Sequence, residues 1–382
     1  MTQSIKGIHF KTQKPVSFSI EKNRILDISE NESNTDLLWI APGLVDLQVN
    51  GFKGKDFNEE TLQVEDVKEI TRELWSIGVT TYFPTLITNS EEKIGLAIQK
   101  IIKACEDKSI DDTIEGIHLE GPFLSMEDGP RGAHPIAYIK APDWDLFCRW
   151  QTIAKGKIKM ITLSPEWPES VFFIKKCVES GVKVAIGHTS CSPSQISEAV
   201  NAGATLSTHL GNAAHAFLPR HSNYLWEQLA SDNLWTTMIA DGFHLPKALL
   251  KVFLKVKPKK SILVSDATKF AGMKPGIYQS HIGGAVALDE NGRLSMRDSP
   301  GFLAGSAKSL LDCIDHLTSN QILSHDNAIE MASIKPMEAM EIRTDYGLEI
   351  GSRADLIIYE LDEGKIKIIQ TIKSGKVVCS NL

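Results

Sequence analysis

Glu120, His188, His209 and Asp266 each stand at the end of a short apolar run, in "IEGIHLEGPF", "VKVAIGHTS", "TLSTHL" and "ILVSDAT". The run "TTMIADGFH" delivers Asp241 and His244 in the same way. One carboxylate and two imidazoles converging from three runs, with a position left for water, form the donor set of a catalytic zinc or a related divalent ion. Water bound to such an ion loses a proton near neutral pH, and Asp266 is placed to take that proton and pass it to a leaving group. A single histidine after an apolar run is more often an ordinary packed residue; only the recurrence at successive run ends points to chemistry.

Something must hold those ends together. Strand candidates fall at residues 38–50, 79–86, 114–121, 158–166, 182–189, 205–210, 236–242 and 261–268. Amphipathic helical patterns such as "VEDVKEITRELWSIG", "EEKIGLAIQKIIKACED" and "PKALLKVFLKV" fill most of the gaps. Eight strands alternating with helices predict an α/β fold, a (β/α)8 TIM-like barrel whose active site lies at the C-terminal ends of its strands. A doubly wound open sheet competes, but the chain has neither a GxGxxG after an early strand nor a P-loop. β-rich segments at both chain ends predict a small β-sandwich domain of residues 1–41 plus 345–382, with the metal-dependent barrel at 42–344.

The bulk composition is globular, with 42% hydrophobic and 23% charged residues in 382. A formal charge of -7 without a basic block argues against nucleic acid, and any phosphate recognition must be local. Six scattered cysteines without a CxxC pair suit reduced thiols in the cytoplasm. No signal-peptide core and no membrane-length apolar run is present, so a cytoplasmic, membrane-free protein is expected.

The segments "PGLVDLQVNG" (42–51), "IHLEGPF" (117–123), "GAH" (132–134), "GHT" (187–189), "THLGNAA" (208–214), "IADGFH" (239–244), "LVSDAT" (263–268) and "LAGS" (303–306) resemble the N-acetylglucosamine-6-phosphate deacetylase family of the amidohydrolase superfamily. The resemblance spans nearly the whole chain. It implies that Glu120, His188 and His209 hold the metal, that Asp266 is base and then acid, and that His134 steadies the acetyl carbonyl oxygen. It further implies substrate contacts from Ala133, Asn212, Ala213, Asp241, His244, Leu303, Ala304 and Gly305, and a phosphate contact from Arg220 of a neighbouring subunit, hence a homodimer. The implied ligand is a phosphorylated amino sugar. Each subunit is expected to carry one divalent ion, zinc first, with iron, cobalt or manganese open.

Two features depart from the pattern. Where many amidohydrolases carry His-x-His on the first strand, this chain has Gln48 and Asn50, neutral amides that make poor zinc ligands, so a second metal site there is not expected to fill. Gly211 stands where an aromatic residue is usual before Asn212-Ala213, which leaves another N-acetylated sugar phosphate open as substrate. A cyclic amide would call for a lysine bridging two metals, and the fourth run offers Ser164 and Glu166 instead. A catalytically silent scaffold is a more distant alternative, with no chemical reason to keep Glu120, His188, His209 and Asp266 together.

Overall fold

The computed structural model describes residues 3–30, 38–280, 284–342 and 345–381. One eight-stranded sheet runs in sequence order through β1 (Leu44–Val49), β2 (Val79–Ile87), β3 (Ile117–Glu120), β4 (Ile158–Leu163), β5 (Lys183–Ile186), β6 (Leu206–Ser207), β7 (Trp235–Met238) and β8 (Ser261–Leu263). All seven neighbouring pairs are parallel. The sheet curls until the chain just past β8 meets β1, through a parallel bridge between Val49 and Ala267. Lower down, the Asp46 carboxylate accepts the Ser265 N–H at 3.2 Å, so a side chain takes an amide at this seam.

The connecting helices form where apolar spacing and end chemistry agree. In the helix Val64–Ser76, Val67, Ile70, Thr71, Leu74 and Trp75 make one buried stripe, and Gln63 and Asp66 cap each other's orphan amides. Ser192 and Gln195 do the same for the helix Pro193–Asn201, with proline in its first turn. The lower interior of the barrel is apolar: Val45, Leu47, Phe83, Met160, Ala185, Leu206 and Ile262 pack together, with Met337 and Met340 of the helix Ile334–Met340 joining them. This packed plug leaves the opposite end, where the strands finish, for chemistry.

Both chain ends meet in a seven-stranded sheet. Trp39–Pro42 pairs parallel with Gln3–His9 and antiparallel with Leu356–Asp362. A buried ion pair fastens this sheet to the barrel: Lys373 Nζ donates to Asp355 Oδ2 at 2.7 Å and to Thr81 Oγ1 of β2 at 3.1 Å. Asp355 also receives the Ser374 amide and lies 3.5 Å from Arg353 Nε. Removing one partner of such a pair leaves a desolvated charge, so Lys373→Ala is expected to lower unfolding free energy by about 3–5 kcal/mol. An unshifted urea midpoint would show that the pair does not brace the two sheets.

A four-stranded antiparallel sheet, Gly276–Ser280, Gly284–Leu288, Leu294–Met296 and Ser299–Leu303, is inserted between β8 and the helix Leu310–Ser319. The sequence reading did not separate it from the barrel. Its signal is Asn291-Gly292 between two alternating runs, a hairpin turn in which Gly292 has φ +83°.

Candidate active site

The strand-end residues do not all lie on strands. Glu120 is the last residue of β3, but His188, His209 and Asp266 sit two or three residues beyond β5, β6 and β8, shorter than the runs 182–189, 205–210 and 261–268 suggested. All three have left-handed backbones, with φ of 48°, 27° and 47°. Such conformations cost a non-glycine residue roughly 1–3 kcal/mol and persist only where the surroundings hold them. Here those surroundings are specific. Ser125 N–H donates to His188 O at 2.9 Å, and His209 N–H donates to Thr237 Oγ1 at 2.7 Å.

Held this way, three donor atoms converge. Nε2 of His209 lies 3.1 Å from Glu120 Oε1, Nε2 of His188 lies 3.3 Å from the same oxygen, and the two nitrogens are 3.2 Å apart. A tetrahedral ion with ligand bonds of ~2.0–2.1 Å would set its ligands ~3.3 Å apart, so the triangle fits a zinc-sized cation. The tautomer agrees, because His188 Nδ1 donates to the Pro130 carbonyl at 3.0 Å and leaves the Nε2 lone pair facing the cluster. Burial alone would raise Glu120 and lower His209. Hydrogen bonds from His188 and then His209 outweigh it for Glu120 and keep the carboxyl well below its usual value, while the Glu120 bond and charge hold the His209 imidazole above its own.

His134 is a fourth candidate donor. A ligand atom from each of Glu120, His134 and His188 falls within 4.8 Å of the others, which also makes a possible metal site. The His134 ring meets His188 edge-on at 4.3 Å, and its Nδ1 lies 2.9 Å from Thr88 Oγ1. Burial pushes His134 down to about 3, so its ring is neutral. Around it the loop at 129–134 folds over the site: a Cβ on Gly132 would sit 3.4 Å from His188 Cε1 and 3.6 Å from Ala213 Cβ. Ala133 is exposed at this rim.

Asp266 stands beside the cluster. Burial first, then the charge of Glu120, pushes its carboxyl up to about 6, against the pull of His209, His244 and a bond from Asn50. Asp241 and His244 form their own pair, Oδ2 to Nδ1 at 2.7 Å. Burial would raise Asp241, but that bond and the amides of Phe243 and His244 hold it below the usual range. The Leu303–Gly305 segment runs alongside, since Thr268 N–H donates to Ser306 O at 2.9 Å. Asn212 is anchored by both its N–H and its Nδ2 to His209 O, which sets Ala213 next in line. Arg220 is exposed instead, on a loop whose Phe217 is 94% exposed. Gly211 has φ +92°, and a Cβ there would come within 3.1 Å of the Leu245 side chain, so this backbone disfavours the usual aromatic side chain.

The sequence pattern of the amidohydrolase family matches residues 39–378. The chain belongs to this family. N-acetylglucosamine-6-phosphate deacetylase of Bacillus subtilis (strain 168) is 31% identical over 88% of this chain and 84% of its own. The Bos taurus protein of the same name is 31% identical over 95% of this chain and 88% of its own. The crystal structure of N-acetylglucosamine-6-phosphate deacetylase from Pasteurella multocida has the same fold, with a TM-score of 0.88 and 24% identity over 100% of both chains.

In this amidohydrolase the tip of β1 is occupied by hydrogen bonds. Gln48 Nε2 donates to Glu120 Oε1 at 2.8 Å, and Asn50 Nδ2 donates to Asp266 Oδ1 at 2.7 Å. The two amides considered as second-site positions thus contact the carboxylates of Glu120 and Asp266. Buried His118 is bonded through both ring nitrogens: Nδ1 donates to Leu47 O at 3.1 Å, and Nε2 lies 2.7 Å from Thr162 Oγ1, which continues to Thr208 Oγ1 at 2.7 Å. Sequence reasoning missed Thr88 and the role of Glu166. The latter accepts the Ser190 N–H at 2.9 Å and the Ser164 hydroxyl at 2.7 Å, tying the turn after His188 to the end of β4. Cys191 is buried and its thiol is pushed up to about 12, which suits no nucleophile.

Proposed function

We propose that this amidohydrolase removes the N-acetyl group of N-acetylglucosamine-6-phosphate, giving glucosamine-6-phosphate and acetate. The observation that carries the reading is the Glu120–His188–His209 triangle with Asp266 beside it, in a chain about 30% identical to enzymes of that name over most of its length. Glu120, His188 and His209 would hold a divalent ion, zinc first and one per chain, which would supply polarisation of the amide carbonyl and activation of water. Asp266 takes the proton of the attacking water and returns it to the nitrogen as the C–N bond breaks. His134 donates from Nε2 to the carbonyl oxygen when the Thr88 hydroxyl donates to Nδ1, which stabilises charge as it develops there.

Ala133, Asn212, Ala213, Asp241, His244 and the Leu303–Gly305 segment line the sugar in this reading, and exposed Arg220 reaches the phosphate of a second copy's substrate. A homodimer follows from that assignment, and we place it in the cytoplasm, with residues 42–344 as the catalytic unit and 1–41 plus 345–382 as its brace. Acetate release from N-acetylglucosamine-6-phosphate should be fast and chelator-sensitive, and slow from the unphosphorylated sugar and the galactosamine-6-phosphate analogue. Silence on all three would move the substrate elsewhere, with the loop after Asn212 as the place to look.

A further inference from the structure

Asn50 is rigidly placed and only half used. Its backbone N–H donates to Ala267 O at 2.8 Å and its carbonyl accepts from Phe57 N at 2.8 Å, so the residue is fastened just past β1 against the turn that carries Asp266. Its Nδ2 reaches Asp266 Oδ1 at 2.7 Å. Its own Oδ1 is buried without a partner among the described residues. A buried amide oxygen left unpaired is costly and is retained where something else will fill it. The amide cannot simply turn over, because its oxygen would then face an ionised carboxylate with no proton between them.

We propose that Asn50 is a positioning residue for proton transfer: Nδ2 holds Asp266 Oδ1, leaving Oδ2 as the oxygen that shuttles the proton, and Oδ1 accepts an N–H of the departing nitrogen. The balance is that of amide hydrolysis. Water adds through oxygen to the carbonyl carbon, its proton passes to Asp266 Oδ2, and the same proton moves to nitrogen as the C–N bond breaks. Asn50 gains and loses no atom. Its two hydrogen bonds fix which carboxylate oxygen acts and where the nitrogen sits.

This inference rests on the deacetylase reading, and one experiment separates the two. Asn50→Ala and the isosteric Asn50→Asp, in metal-replete enzyme, are assayed for acetate release, analysed for metal content and crystallised. In both variants kcat is expected to fall about 10- to 100-fold, with KM within about threefold of wild type and metal content unchanged. In the Asn50→Ala crystal the Asp266 carboxylate should leave its wild-type position. An Asp266 that does not move, or a kcat within about twofold of wild type in Asn50→Ala, overturns the assignment, as does a loss of metal that accounts for the whole effect. Wild-type enzyme that releases no acetate overturns the deacetylase reading instead, while the position of Asp266 still reports on Asn50.

Discussion

Asp266→Asn is expected to lower kcat for acetate release by roughly 10²- to 10⁴-fold, the range of a positioned acid–base group, while one metal ion per chain stays bound. The substitution is nearly isosteric, and its carboxamide oxygen can still accept from Asn50, so the turn beyond β8 should survive. What disappears is the ability to take a proton. The surroundings already work towards proton exchange: burial and the nearby Glu120 raise the carboxyl to about 6, whereas Asn50, His209 and His244 favour its charged form. A group balanced in that way can both accept a proton and give it back. Turnover of Asp266→Asn within an order of magnitude of wild type would remove Asp266 from the mechanism.

The barrel and its catalytic end were legible because hydrophobic runs and chemical residues fell in phase. Glu120, His188, His209 and Asp266 each follow an apolar segment, and in a parallel barrel such positions gather at one rim. Their exact setting was not legible. His188, His209 and Asp266 are aimed by left-handed turns just past the strands, and nothing in "GHT", "THL" or "SDAT" announces a positive φ on a non-glycine residue. Hydrogen bonds between distant segments were equally hidden: Gln48 meets Glu120 across 72 residues, and Asn50 meets Asp266 across 216. From sequence these amides could be judged only as poor ligands. In the folded chain they are good donors, which suits them to their places beside the carboxylates of Glu120 and Asp266. Composition likewise hid Lys373 and Asp355, which are unremarkable as sequence and become a buried brace only when both chain ends join one sheet.

Glu120, His134, His188 and His209 are the four candidate donors to the ion, and mutating two of them in parallel decides which hold it. His209→Ala should abolish both metal retention and turnover, because its Nε2 completes the 3.1–3.3 Å triangle with Glu120 and His188. The loss also costs Glu120, a carboxylate buried to 3% exposure, one of its three nearest partners and leaves it those to His188 and Gln48. His134→Ala should behave differently. Its Nδ1 is engaged by Thr88 and its ring stands edge-on to His188, so the ion should remain near one per chain while kcat falls by roughly 10²- to 10³-fold, as for loss of one donor to a developing oxyanion. Elemental analysis of dialysed protein separates the cases. If His134→Ala loses the metal and His209→Ala keeps it, the ligand set is Glu120, His134 and His188, the other trio whose donor atoms lie within 4.8 Å. A ratio near two in the wild type would show instead that Gln48 and Asn50 give up their carboxylates to a second ion. That outcome requires their amide oxygens to face inward, the reverse of the arrangement in which both nitrogens donate.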